Sequence, residues 1–316
     1  MWWIGYCGEG KHGLDNLGVF ENDGSVRRQH PLLLDPSPKA HPLHIPRGFA
    51  LVEDDLYIAS AWHGDSHVAR YRRRGNRFRF VENVVTSRQV VAMVHPFDVA
   101  LGDDGRVYIS SQDTNTVIAI EPQTRRPVPV VQHLRESFPK SRFLPGTVVA
   151  SAQGRLPDVG RVPPADVPAP LGLDVVLDVQ GKPRHSVRGV VMHQKLLYVA
   201  DEAGDMVKIF EVATGRLLAR IRGKLMKRPV HLLLHRRTLF VGAAGSGSVL
   251  AYDIPKGPPH GKYKPRVVID GKLHEPSGLA IGPEGDLCVA ERFDQRVRRV
   301  CYLAGKLRTP LQALEG

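Results

Sequence analysis

His95-Pro96-Phe97-Asp98-Val99-Ala100-Leu101, a turn through Asp103-Asp104-Gly105, then Val107-Tyr108-Ile109-Ser110 and a polar loop through Gln112 and Asp113: this stretch decides the fold. Two apolar runs of strand length flank a Gly/Asp turn, which is the pattern of a hairpin. The phrase returns at Pro46-Arg47-Gly48-Phe49-Ala50-Leu51 with Leu56-Tyr57-Ile58-Ala59, and at Val187-Arg188-Gly189-Val190-Val191 with Leu197-Tyr198-Val199-Ala200. It returns again at Val230-His231-Leu232-Leu233-Leu234 with Leu239-Phe240-Val241-Gly242, and at Pro276-Ser277-Gly278-Leu279-Ala280-Ile281 with Leu287-Cys288-Val289-Ala290. With Gly48, Asp98, Gly189, His231 and Gly278 as one column, the spacings are 50, 91, 42 and 47.

A period of roughly 40–50 residues with several short strands per unit predicts β-propeller blades. Residues 1–35 read as a repeat without its first strand: Trp2 to Cys7 matches the second-strand position, Asn16 to Phe20 the third and Arg27 to Leu34 the fourth. Counting it, the expectation is an all-β, six-bladed β-propeller forming a single domain over 1–316. Lys306 to Leu314 would supply the fourth strand of the last repeat beside that gap. The spacing of 91 marks an insertion at 133–184, between the third and fourth repeats, which carries eight prolines from Pro139 to Pro183. Proline removes ladder donors, so this segment reads as a lid or binding loop over one face, with a degenerate seventh blade as the alternative.

The formal charge of +12 raises the question of an anionic partner. It is spread over Arg70, Arg72, Arg73, Arg74, Arg77 and Arg79 in one repeat, Arg296, Arg298 and Arg299 in another, and turn pairs such as Arg236-Arg237. Outer blade strands are solvated, and charge there also keeps edges from pairing with other chains. Three cysteines, Cys7, Cys288 and Cys301, without metal-type spacing suit a reducing compartment. The first residues lack a basic leader, and no apolar run reaches membrane-span length, so the expectation is a cytoplasmic protein without membrane contact. There is no dinucleotide fingerprint and no P-loop, which argues against a nucleotide cofactor.

In a four-stranded blade, the loop entering the first strand and the loop joining the second to the third lie on one face. Function concentrates in such loops. Before the first strands stand His44 and Arg47, His95 and Asp98, His185 and Arg188, His231, and His274 with Glu275. The other loop set adds Trp62 and His63, and Glu291 with Arg292; Phe97 opens its own first strand. His95, His185, His231 and Glu291 are the candidate catalytic groups. His44, Arg47, Trp62, His63, Phe97, Arg188, His274 and Arg292 are the candidate substrate contacts. Arg47 and Arg188 share one position in two repeats and would clamp an anion at the channel mouth, or pair with loop acids such as Asp65 or Glu202. Converging imidazoles would also suit a divalent metal, zinc or calcium.

The phrases His95-Pro96-Phe97-Asp98-Val99-Ala100 and Asp113-Thr114-Asn115-Thr116-Val117 resemble the NHL-repeat and gluconolactonase/strictosidine-synthase group of six-bladed propellers. Ala200-Asp201-Glu202, Ala290-Glu291-Arg292 and Ser111-Gln112-Asp113 are similar to the acidic turn of that group. The group includes metal-dependent lactonases, lyases and domains that bind RNA or protein. Blade phrasing is also similar to peptidyl-hydroxyglycine amidating lyase, whose zinc histidines precede the first-strand glycine. Those slots here hold Arg47, Phe97, Arg188, Val230 and Ser277. The lactonase calcium set is matched loosely by Glu9, Asn115 and Asp201. The resemblance implies a lyase, hydrolase or isomerase acting on a small anionic or peptide-like substrate at the channel mouth. The alternative is a non-catalytic module that holds an acidic protein segment or RNA. Few aromatics accompany the basic groups, which favours the enzyme.

Overall fold

The computed structural model describes residues 2–6, 16–21, 33–34, 43–62, 65–90, 93–113, 116–121, 127–128, 187–213, 216–259, 262–282, 285–292 and 296–300. The insertion at 133–184 and the C-terminal segment 306–314 lie outside them. The described chain is all strand and turn. Strands β1 (Trp2–Tyr6) and β2 (Asn16–Phe20) pair as one sheet. The next sheet is β3 (Pro46–Val52), β4 (Asp55–Ser60), β5 (His67–Arg74) and β6 (Arg77–Thr86). It is followed by β7 (Pro96–Leu101), β8 (Val107–Ser111), β9 (Thr116–Ile120) and the short β10 (Pro127–Val128). Then come β11 (Val187–His193), β12 (Leu196–Asp201), β13 (Met206–Glu211) and β14 (Leu217–Ile221). The last two sheets are β15 (Pro229–His235), β16 (Thr238–Ala243), β17 (Ser248–Asp253) and β18 (Arg266–Ile269), and β19 (Pro276–Ile281), β20 (Leu287–Glu291) and β21 (Arg296–Val300).

Among the described residues there are thus six sheets, each an antiparallel meander in chain order. First strands of successive sheets lie side by side, β3 by β7, β7 by β11, β11 by β15 and β15 by β19. That is the inner ring of a β-propeller. Strand β1 lies against β3 as β4 lies against β7, which puts it at the second-strand position. Of the expected fourth strand of this partial blade, Arg27 to Leu34, only residues 33–34 are among the described ones. Leu33 donates to Leu17, while its carbonyl accepts from Phe78 on β6, so the segment ties β2 to the following blade.

Each apolar cluster fills a space between two blades. Tyr57, Val68 and Val84 meet Val99, Ile109 and Ile118. Tyr108 and Val117 meet Val190 and Leu197, and Ile209 and Ala200 meet Leu232 and Leu250. Leu17 and Val19 pack on Leu56 and Ile58, and Phe240 and Val249 on Leu279 and Val289. Middle strands are covered on both sides, so β8 and β9 are buried at every residue. This is why they read as unbroken apolar runs rather than alternating ones. Among the described residues, no helix is long and apolar enough to cross a membrane.

Two irregularities recur at the entry to the first strands. Ile45, His95, Arg228 and Glu275 have φ of 54°, 56°, 49° and 58°, and each precedes a proline. The left-handed region is costly for a side chain with a Cβ, above all for β-branched Ile45. Each turn is closed by the loop that leaves the second strand. The amides of Ala61, Gln112, Ala244 and Arg292 donate to the carbonyls of Ile45, His95, Arg228 and Glu275 at 3.2, 3.1, 2.9 and 3.2 Å. Just beyond, the register slips by one residue in all five first-strand pairs. Arg47, Phe97, Arg188, Val230 and Ser277 fall within these bulges, a device that re-aims a side chain.

Past the bulges the inner strands approach closely. A Cβ on Gly48 would stand 2.6 Å from Asp98 Cα, and one on Gly189 2.9 Å from the Leu232 nitrogen. We expect Gly48→Ala to cost about 1–3 kcal/mol through forced separation of β3 and β7. Gly257→Ala, with nothing within 4 Å of the added carbon, is the neutral control. Urea denaturation of the two variants checks this; equal midpoints would contradict the close-packed ring.

Candidate functional site

Asp98 is the anchor of the inner ring. It is 5% exposed, one carboxylate oxygen accepts from its neighbour Val99 at 2.9 Å, and the other from Val190 on the next blade at 3.0 Å. Its own amide donates to Ser110 Oγ at 2.9 Å. Burial pushes its carboxyl above the usual carboxylate range, opposed by His231 and by the two amides. His231 stands at the same column two blades on, its Cα within 3.0 Å of where a Gly189 Cβ would lie. Burial holds its imidazole below the ordinary histidine range, and the Asp98 charge pulls the other way. His231 keeps a little accessible surface, but the packed ring around it outweighs that opening in setting its charge. Its Nδ1 is buried and has no hydrogen-bond partner among the described residues.

Above this ring, a chain of polar contacts crosses three blade boundaries. Gln112 Oε1 accepts from Arg188 Nη1. Arg188 sends Nε and Nη2 to Glu202 Oε2, each at 2.5 Å, with its guanidinium 5.0 Å from the Phe97 ring centroid. Glu202 Oε1 accepts from Arg228 Nε and Nη2 at 3.1 and 2.8 Å. Arg228 and Arg292 approach Glu275 Oε1 at 3.8 and 3.6 Å. Arg188 therefore takes the pairing with Glu202 that its loop position allowed. Arg47 is half-buried within its bulge one blade before Phe97.

The remaining candidates occupy distinct positions on this face. Trp62 is 46% exposed, with its ring 5.4 Å from that of His44. His95 is buried, its Nδ1 3.5 Å from Asp113 Oδ2. Glu291 is 2% exposed and accepts the His274 backbone amide at 2.8 Å. Ser60 and Ser111 stand at the same second-strand position and bond the amides of His44 and Val94 in the same way. Glu291 thus serves as a brace for the entry turn. His274 and Arg292 are exposed. His63 and His185 lie outside the described residues.

The sequence puts Asp98 and Glu275 on this rim, but it marks neither Asp98 as the anchor nor Arg228 and Glu275 as partners. The signal that would have found the last two is the dipeptide series Ile45-Pro46, His95-Pro96, Arg228-Pro229 and Glu275-Pro276. Arg228 and Glu275 also line an open groove of about 550 Å³ at the seam between the sheets of β15 and β19, floored by Gly245 and Gly247.

The residues do not fit the zinc site of the amidating lyase, because the bulge slots hold no histidine. Among the described residues, no three His, Cys, Asp or Glu side chains are grouped as a metal would need. Asp201, one of the loose calcium matches, is buried against Lys208 Nζ at 2.8 Å and accepts from the Gly204 amide. The other two matches, Glu9 and Asn115, lie outside the described residues.

No family model matches this chain, and no curated protein does. Solved structures match in fold. A protein from Lactobacillus plantarum shares 13% identity at a TM-score of 0.58, over 98% of this chain and 81% of that one. A candidate 6-phosphogluconolactonase from Bacteroides fragilis shares 12% at 0.54, over 98% and 93%. A chain of the nidogen/laminin complex shares 13% at 0.54, over 90% and 87%. The chain spans 64% of the length of the computationally designed Ika8 protein. At these identities the likeness is one of fold.

The shared carboxylate is the testable element. Removing the charge of Glu202 leaves Arg188 and Arg228 facing each other, so Glu202→Gln should lose about 3 kcal/mol, the low end for a broken buried pair because Arg228 is half exposed. Arg292→Gln, at the exposed end, should lose less than about 1 kcal/mol. Equal thermal shifts in the two variants would show that the chain of contacts does not join the blades.

Proposed function

We propose that this chain is an enzyme acting at the channel mouth on a small anionic or peptide-like substrate. The chemistry is proton transfer of lyase, hydrolase or isomerase type, with His231 as the transferring group. The observation that carries the reading is His231 Nδ1, buried on the inner strand without a partner among the described residues. Burial keeps the imidazole neutral, the form that accepts a proton, to below its usual pH range. The imidazolium formed on transfer gains from the Asp98 charge, which pulls its pKa upward.

Recognition falls to groups around it. Arg188 is committed to Gln112 and Glu202, whereas exposed Arg292 makes a loose 3.6 Å pair with Glu275 and presents its guanidinium to an anion. Exposed Trp62 offers a ring face at the mouth, while the Phe97 ring carries the Arg188 guanidinium and His95 faces Asp113. No step is routed through a metal, since the described residues do not fit one.

The name of the Bacteroides fragilis neighbour makes sugar lactones a sensible first panel, beside carboxylate esters and dipeptides. We expect turnover of at least one member. Its kcat/KM should stay level from pH 8 down past the ordinary histidine range and fall only when His231 takes a proton. His231→Gln should lower kcat by about 100-fold or more, the usual worth of a general base. Retention of full activity in that variant would remove His231 from the chemistry. Tight binding of panel members without turnover would favour the binding module.

A further inference from the structure

The loops at the seam between β15 and β19 read Lys227-Arg228, Ala244-Gly245-Ser246-Gly247 and Gly271-Lys272-Leu273-His274-Glu275. Their backbone is settled internally. The Ala244 and Gly245 amides donate to the Arg228 and Lys227 carbonyls at 2.9 Å, Leu273 donates to Gly247 at 3.1 Å, and Gly271 to Ser248 Oγ at 3.1 Å. Glycine at 245 lets the Arg228 stem lie flat against the groove floor, since a Cβ there would stand 3.1 Å from Arg228 Cγ. The groove of about 550 Å³ above these loops is within the size of small-ligand sites.

Its side chains are less settled. Arg228 spends Nε and Nη2 on Glu202, and its Nη1 makes no hydrogen bond among the described residues. The Arg292 guanidinium, 51% exposed, makes none there either and stands 3.6 Å from Glu275 Oε1. The Glu275 side chain is only 12% exposed, yet among the described residues no donor reaches it. Its Oε2 is buried without a partner, and Oε1 faces the two guanidiniums beyond hydrogen-bond distance, at 3.8 and 3.6 Å. A nearly buried carboxylate without a donor is costly, so its surroundings call for one. Charge is unbalanced in the other direction. Arg188, Arg228 and Arg292 face only Glu202 and Glu275, which leaves one positive charge over along the chain of contacts.

We propose that the groove binds a small monocarboxylate carrying a hydroxyl on the adjacent carbon. Arg228 Nη2 and Arg292 Nη1 flank one oxygen, so they lie within about 7.5 Å of each other. A carboxylate on the groove side, with a charge-assisted bond of about 2.8 Å to each guanidinium, spans that distance. It closes the two guanidiniums and Glu275 into a ring of alternating charge. The hydroxyl donates to Glu275, the group that lacks a donor. A neutral ligand leaves the extra charge unmatched, and a phosphate dianion overcompensates it beside Glu275. This site rests on the reading that Arg292 presents its guanidinium to an anion, and it does not involve His231.

The test is titration of the full chain at about pH 7.5 with lactate, propionate, lactamide and inorganic phosphate, followed by the backbone amide NMR shifts of Gly245, Gly247 and Gly271. Propionate lacks the hydroxyl and lactamide the charge. Lactate should saturate and bind at least about tenfold more tightly than either, and than phosphate, the worth of one hydrogen bond to a charged group. Arg228→Gln should weaken lactate binding about tenfold or more. Arg292→Gln, at the exposed end, should do the same and guards against misfolding of the Arg228 variant. Glu275→Gln should tighten phosphate by removing the opposing charge. Arg236→Gln, in the β15–β16 turn at the other face, should bind as the parent does. Because binding is read without turnover, an inactive substrate panel leaves this site standing, and a groove that takes no lactate leaves His231 to its own variant. No saturable shift with lactate, equal affinity for propionate, lactamide or phosphate, or undiminished binding in both arginine variants would overturn the proposal.

Discussion

The Asp98 carboxylate joins two blades at the place where the inner strands come closest. One oxygen holds its own strand through Val99 and the other reaches across to Val190. Both amides would otherwise be buried donors in a narrow ring, and a buried unpaired donor costs more than a paired one gains. The glycines at 48 and 189 make the reach possible, because any side chain at either would stand against the neighbouring strand. The sequence column that reveals the repeat is therefore the column that sets the distance between blades. His231 enters the same column with a ring instead of a hydrogen, and this substitution brings a titratable group into the inner wall.

The mouth above this ring is shaped by backbone rather than by side-chain identity. Left-handed residues before proline and the bulges that follow turn one side chain per blade out of the ordinary alternation. Their cost is met by amides from the facing loop, which close four of the turns in the same way. The ion-pair chain through Arg188, Glu202 and Arg228 then fixes three of these loops against one another. Rigidity of that kind suits a site, since a positioned acid or base acts only while its geometry holds. It also engages the Arg188 guanidinium with Gln112 and Glu202 and leaves Arg292 at the open end.

Much of the architecture was legible because packing between blades leaves a periodic mark. Runs such as Val107-Tyr108-Ile109-Ser110 must be apolar on both faces, and they recur with the spacing of a blade. The partial repeat was legible for the same reason, although residues 33–34 bond to β6 as well as to β2. The site was less so. Five histidines looked like one rim, yet His44 and His274 lie four residues before the column, His95 three, and His231 within it. A bulge depends on the partner strand, which no single segment encodes. Glu202 serves Arg188, 14 residues earlier, and Arg228, 26 later, a choice fixed only when the blades stack. Glu291, chosen for its unusual neighbour Arg292, shares the bracing position of Ser60 and Ser111. The metal suggested by clustered histidines has no matching group among the described residues.

What most directly tests this account is the titration of His231 by NMR, with the imidazole nitrogens labelled, in the parent and in Asp98→Asn. The ring is expected to be neutral at pH 7, with Nδ1 free of a proton and a pKa below 6.5, the ordinary histidine value. Removing the Asp98 charge should lower that pKa further, because the carboxylate favours the charged ring. A protonated His231 at pH 7, or a pKa that rises in Asp98→Asn, would contradict the arrangement on which both the inner ring and the proposed chemistry depend.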